Sequence, residues 1–360
     1  MRRALLLLAV AAAQFALFEV ALRAWGHSEA APAFQTLFMP DSAIGYRLRP
    51  NARTRFVTAE FDTRIAINGQ GVRDDEEIGP KPANERRIVV LGDSLVLSVQ
   101  VDERQTFCRL LEGRLNRGGG PVRYRVINAG VQGYGPVEEL LFFRQVARGF
   151  EPDLVIATVF VGNDAEESVT SAPRLQGAAR PSADALSDSI VTRMRRLVRR
   201  SMVLQVLRLR AVAVTDRLPR FGAPPEPPLQ SYAARPAPRI GEGLRIAREC
   251  IEAIAREASA AGARTMVMLM PARFQVDDAD YGRLASTVAG AGGELVRDAA
   301  TTRFAEALAP VQVPRFDALP VLRAAQPGPD VFFQQTVHLT PRGHEILAEA
   351  LEAFIRAQGL

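Results

Sequence analysis

From Arg87 onward the chain repeats one rhythm: a short, wholly apolar run, a turn rich in glycine or asparagine, then a stretch with apolar residues every three to four positions. The first run, Ile88 to Leu91, stops at Gly92-Asp93, and a helical pattern follows over about 103–115. The second, "YRVINAG", precedes a helix over about 137–147, and the third, "DLVIATVFVGND", closes on Gly162-Asn163-Asp164. Later come a helix near 244–260, a strand at 265–270, a helix near 281–291, and weaker strands near 294–297 and 313–316. A last helix is predicted from Thr340-Pro341 to about Arg356, with a capping threonine and proline at the first helical position. Short β-branched runs bounded by turns predict strands buried on both faces. Their alternation with helices predicts an α/β fold, a mostly parallel sheet covered on both sides.

Two stretches leave this rhythm. Residues from about 42 to 79 alternate apolar and polar positions through Phe56, Phe61, Ile65 and Ile67, which predicts a small β element, with Asn68-Gly69 as a turn signal. Residues from about 165 to 242 hold a Ser/Ala/Pro-rich loop, a basic amphipathic helix and a Pro-rich stretch ending at Pro238. The helix carries Ile190, Met194, Leu197, Val198, Met202 and Leu209 on one face. Such a stripe packs on the domain, or else serves as a lid or a contact with an anionic membrane surface.

The N-terminus begins Met1-Arg2-Arg3 and continues as an apolar run from Ala4 to Phe18, extending as a helical pattern to Trp25. A positive start followed by an apolar run predicts export. Its length is near the roughly 17–25 residues that span a bilayer, which favours a retained anchor with the body on the periplasmic side of a bacterial inner membrane. The alternative is a cleaved signal with a small-residue site at Ser28-Glu29-Ala30. The organisation expected is an anchor or signal over 1–25, a linker and β element over 26–85, and the main domain over 86–360 with its insertion at about 165–242.

Composition narrows the function classes. Hydrophobic residues at 48% and charged residues at 24% are those of a globular protein with a core. The formal charge of +5 is almost all arginine, and no basic stripe with interleaved aromatics suggests nucleic acid as a partner. The 3 histidines (His27, His338 and His344), without a CxxC or HExxH spacing, argue against zinc, so no metal or cofactor is expected. Cys108 and Cys250 fall on apolar faces of separate predicted helices and read as two buried thiols.

The chemistry gathers where strands end, which in open α/β sheets is where ligands bind. Ser94 sits in Gly92-Asp93-Ser94-Leu95, on a strand-to-helix turn. It is either a capping residue or an exposed nucleophile near a helix N-terminus. Gly130, Gly133 and Gly135 form a glycine block that lets backbone approach a ligand. Asn163 carries an amide able to donate to an oxyanion, and His338, just before the last helix, is able to serve as a base.

These four motifs in this order resemble the SGNH (GDSL) hydrolase superfamily over roughly 86–360, and "INGQGVRDDE" upstream looks like its bacterial branch with an N-terminal membrane segment. The resemblance implies a flavodoxin-like sandwich with about five parallel strands. It implies Ser94 as nucleophile, His338 as base, and an oxyanion hole from the Ser94 N–H, the Gly133 N–H and the Asn163 side chain. One position departs. The family carries an aspartate three residues before its histidine, and here that position is Gln335. Loss of that charge in a serine triad costs on the order of 10⁴ in rate. A Ser–His dyad assisted by Gln335, an acid rewired to Asp330, or a weakened enzyme would each follow. His344, one helical turn on, reads as structural.

The function expected is hydrolysis of O-acyl esters, foremost O-acetyl, on a cell-envelope glycan or lipid. An O-acetyltransferase using the same Ser–His pair is the alternative. Phospholipid cleavage and a non-catalytic envelope binding protein are further readings, the latter because of Gln335.

Overall fold

The computed structural model describes residues 10, 13–21, 36–177, 203, 229–290, 292–325 and 331–359. Two antiparallel hairpins lead: β1 (Phe38–Asp41) with β2 (Gly45–Leu48), then β3 (Arg53–Val57) with β4 (Asp62–Ala66). Side chains make both reversals. Asp41 accepts from the Ala43 and Ile44 N–H groups, and Thr58 accepts from those of Glu60 and Phe61. Asn68-Gly69 is not a hairpin turn. It lies beyond β4, where the buried Asn68 side chain accepts from the Gln70 and Val72 N–H groups and donates to the Glu76 carbonyl. The turn the dipeptide signalled is there, closed by the Gly71 N–H donating to the Asn68 carbonyl at 3.1 Å, but it joins no pair of strands.

The main domain opens with β5 (Glu85–Gly92), α1 (Ser94–Leu97), α2 (Phe107–Leu115), β6 (Arg123–Gly130) and α3 (Pro136–Gln145). It continues through β7 (Leu154–Phe160), α4 (Asp164–Ser171), α5 (Pro238–Ala260), β8 (Arg264–Met270) and α6 (Arg273–Val276). It closes with α7 (Asp278–Gly290), α8 (Ala299–Ala307), β9 (Arg315–Asp317), α9 (Leu319–Ala324) and α10 (Pro341–Ala357). The five parallel strands run in the order β6-β5-β7-β8-β9. That is the flavodoxin-like order. Successive strand residues face opposite layers. Ile88 and Val90 pack with Phe107, Leu111 and Leu351 of α2 and α10, whereas Val89 and Leu91 pack with Val137, Leu140 and Ile254 of α3 and α5. The expected α/β/α sandwich is therefore the one observed.

Cys108 and Cys250 are both buried and free, and they belong to cores on opposite faces of the sheet. The strand expected near 294–297 is reduced to a single bridge between Leu295 and Ala233. Helices α8 and α9 fill the following stretch. Helix α4 occupies the start of the stretch expected as an insertion, and its Ala165 joins the same core as Ile240 and Ala247 of α5. The basic amphipathic helix, Ser28-Glu29-Ala30, His27 and Asp330 lie outside the described residues. Among the described residues no helix is long and apolar enough to cross a membrane.

Candidate active site

Ser94 opens α1 directly after β5, and the Asp93 carboxylate caps that helix by accepting from the Leu95 N–H at 2.8 Å. The helix lies hard against β6. A Cβ on Gly130 would come 2.3 Å from the Leu97 nitrogen, so glycine there is what lets the Ser94 turn sit so low. Arg73, fully buried, grips the chain that follows: Nη1 donates to the Leu97 (2.6 Å) and Ser98 (2.5 Å) carbonyls, and Nη2 to that of Val101 (2.6 Å). Arg73→Met would leave the buried Leu97 and Val101 carbonyls unpaired, at about 1–3 kcal/mol each, while the Ser98 carbonyl keeps the Val101 N–H at 3.2 Å. Thermal or urea unfolding is expected to show a loss of about 2 kcal/mol or more, and a loss under about 1 kcal/mol would mean the clamp is redundant.

Beside Ser94, the loop after β6 carries Gly133 at φ +70°, with Tyr46 Oη 2.9 Å from where a Cβ would stand. Tyr46 donates to the Gln132 carbonyl at 2.7 Å and Tyr134 donates to the Tyr46 carbonyl at 2.6 Å, so the β1–β2 hairpin latches this loop. On the other side, after β7, Asn163 donates through Nδ2 to Glu167 Oε1 at 2.7 Å. Strands β6, β5 and β7 are adjacent and parallel, so Gly133, Ser94 and Asn163 follow three neighbouring carboxyl ends.

His338 sits in a tight loop closed by the Phe332–Leu339 bridge and by the Phe333 N–H donating to the His338 carbonyl at 3.0 Å. Its ring is half-buried, both ring nitrogens are shut off from solvent without a partner, and this desolvation pushes its pKa down to about 4. No hydrogen bond therefore joins His338 to Ser94 or to the exposed side chain of Gln335. What the structure does is bring the loop to the same sheet edge: Gln335, Thr336 and Val337 line one cavity with Phe160, the last residue of β7, and Gly162, which follows it. That cavity, about 550 Å³, is walled largely by apolar groups such as Tyr232, Phe274 and Leu284. His344 plays the structural part expected of it. Its Nδ1 accepts from the Phe107 N–H at 3.2 Å and its ring stacks on Phe107, satisfying the start of α2.

A cluster of acids around the site was not anticipated. Asp93, Glu139 and Asp164 are buried, and Glu167 is half-buried. Burial, and then mutual repulsion, raises Asp93 to about 6 (burial alone there) and Glu167 to about 7, and holds Glu139 and Asp164 well above the carboxylate range. Glu167 Oε2 and Asp164 Oδ1 both lack partners and lie 3.6 and 3.8 Å from a Cβ position on Gly135. A signal existed in part: Asp164, Glu166 and Glu167 crowd the first turn of α4, but only the fold brings in Asp93 and Glu139.

Because these acids hold protons more tightly folded than unfolded, the folded state binds more protons, and stability falls as pH rises through about 6 and 7. His338 and His344, both lowered by burial, act in the opposite sense but only below their ordinary value of 6.5. The melting temperature is thus expected to fall from about pH 6.5 to about pH 8.5, with Glu139→Gln and Asp164→Asn flattening the slope. A melting temperature that rises over that range would contradict the burial of these carboxyls.

Residues 233–360 match the family described as "SGNH hydrolase-like domain, acetyltransferase AlgX". That span holds Gln335 and His338 but not Ser94, Gly133 or Asn163. Among solved structures, TesA shares 14% identity, covering 76% of this chain and 99% of that one at a TM-score of 0.42. The lipase/acylhydrolase from Enterococcus faecalis shares 16%, covering 76% and 96%, also at 0.42. Axe2, an acetylxylan esterase from Geobacillus stearothermophilus, shares 12%, covering 75% and 94%, at 0.42. No curated protein matches the chain in sequence.

Proposed function

We propose that the protein is a serine acyl-ester enzyme, acting on O-acyl and foremost O-acetyl esters of a cell-envelope glycan or lipid. The observation that carries this reading is the run of Ser94, Gly133 and Asn163 behind three adjacent strand ends, with the His338 loop at the same edge. Ser94 Oγ attacks the acyl carbon while His338 takes the hydroxyl proton. The oxyanion is received by the N–H groups of Ser94 and Gly133 and by the Asn163 amide. One Asn163 N–H is held by Glu167, which leaves the other for the substrate. His338 then returns its proton to the departing alcohol, and the acyl-enzyme passes its acyl group to water or to a sugar hydroxyl. Closure of the ring onto Ser94 accompanies substrate binding, since catalytic hydrogen bonds in unliganded sites tighten only in the complex.

The cavity beside the histidine loop is far larger than an acetyl group, and takes the larger half of the ester. Transfer to a sugar hydroxyl is the second reading, favoured by the acetyltransferase description of the family matched over residues 233–360. The positive, apolar N-terminus supports a tether at the periplasmic face of the inner membrane. The test is turnover of p-nitrophenyl acetate by the full chain in mild detergent, with and without an added glycan. Release of p-nitrophenol in water alone supports hydrolysis, and acceleration by glycan with acetylated product supports transfer. A chain no faster than Ser94→Ala under both conditions would sink the proposal.

A further inference from the structure

Gln335 stands where the resembled family has its acid, yet a carboxylate does hold this loop. Glu60, in the turn between β3 and β4, accepts from the Gln334 N–H on Oε1 at 2.7 Å and from the Gln335 N–H on Oε2 at 2.9 Å. Charge-assisted bonds of this kind are roughly twice as strong as neutral ones. Next to it, Phe61 packs on Phe333 with ring centroids 5.5 Å apart. A guanidinium completes the grip: Arg273 donates to the Phe333 (2.8 Å) and Gln334 (2.5 Å) carbonyls while pairing with Asp280. The backbone of 333–335 is thereby held by a carboxylate and a guanidinium from two different parts of the chain.

We propose that Glu60 is a positioning residue of this site, fixing the His338 loop through its backbone in place of a side-chain acid at position 335. The inference rests on the reading of His338 as the base. With no partner on either ring nitrogen, the ring takes its placement from the loop, and the loop takes its placement from Glu60 and Arg273. The pairing also explains the neutral residue at 335. A carboxylate there would hang on the residue whose N–H Glu60 holds, and the two like charges would repel. The N-terminal hairpin, outside the five-stranded sheet, is then part of the working site.

The test compares the full chain with Glu60→Gln, Glu60→Ala, Glu60→Asp, Gln335→Asp and the double Glu60→Gln/Gln335→Asp variant on p-nitrophenyl acetate, with melting curves alongside. Glutamine keeps the shape of Glu60 but sets an NH₂ against a backbone N–H. Glu60→Gln is expected to lower kcat by about tenfold or more with KM within about twofold. Glu60→Asp recovers most of that loss, and Gln335→Asp raises kcat in the Glu60→Gln background but not in the parent. Parent activity that disappears in Ser94→Ala and His338→Ala yet persists in Glu60→Gln and Glu60→Ala overturns the inference and leaves the Ser–His reading standing. Equal losses in Glu60→Gln and Glu60→Asp, unrelieved by Gln335→Asp, reduce Glu60 to a structural tie and overturn it too. A parent no faster than Ser94→Ala overturns the Ser–His reading, and this inference with it.

Discussion

Ser94→Ala and His338→Ala are each expected to bring ester turnover to background, a loss on the order of 10⁴ or more, and the double variant should be no worse than either single one. Nucleophile and base act as one unit, because an unactivated hydroxyl is a poor nucleophile and a base without it has no proton to move. The pH profile gives a second reading of the same pair. Burial holds His338 down to about 4, so the ring is neutral at every pH well above that. The acid limb of kcat/KM, which reports the free enzyme, should therefore fall near pH 4 rather than at the ordinary histidine value of 6.5. A limb near 6.5 that persists in active variants would mean the ring is hydrated in the working enzyme. Turnover surviving in His338→Ala would remove it as the base.

Much of this was legible along the chain, for a physical reason. A parallel sheet with helical crossovers brings every strand's carboxyl end to one edge, so residues far apart in sequence but alike in their place after a strand become neighbours. Ser94, Gly133 and Asn163 each follow such an end, and the alternation that located the strands located them as well. The last helix was equally plain, since Thr340 accepts from the Gly343 N–H and Pro341 fills the first helical position. Helix α8 was missed although Ala300, Phe304 and Leu308 recur at four-residue spacing, because its threonines and short length weakened the pattern.

What sequence does not display is a contact between parts with no shared rhythm. Glu60 belongs to a hairpin turn and Gln335 to a loop 275 residues later, and their bond is a backbone N–H on a carboxylate, to which residue type at 335 contributes nothing. The acid cluster is of the same kind. Asp93 caps α1 and Glu139 sits in the first turn of α3, and only packing strips both of water. The departure at Gln335 was visible from the start. Its counterpart on the hairpin emerged only from the fold.

Asn163→Ala is expected to lower kcat by about 10²–10³ with KM nearly unchanged, because the amide meets the oxygen mainly once charge develops on it. Glu167 makes this more than a generic oxyanion argument. It binds one Asn163 N–H at 2.7 Å, so a single carboxyl fixes the orientation of the amide. Asn163→Asp should be at least as damaging despite its near-identical shape. It replaces the donor by an acceptor and sets another acid beside Asp164 and Glu167, whose pKa values repulsion and burial already raise. Its melting temperature should accordingly fall more steeply than the parent's as pH rises through about 7. Steady-state kinetics and melting curves on the two variants separate the roles. A normal kcat in Asn163→Ala would take the amide out of the oxyanion hole and leave only backbone donors there. A lost kcat with the parent's pH–stability slope in Asn163→Asp would keep the amide in the hole but deny that it sits within the acid cluster's field.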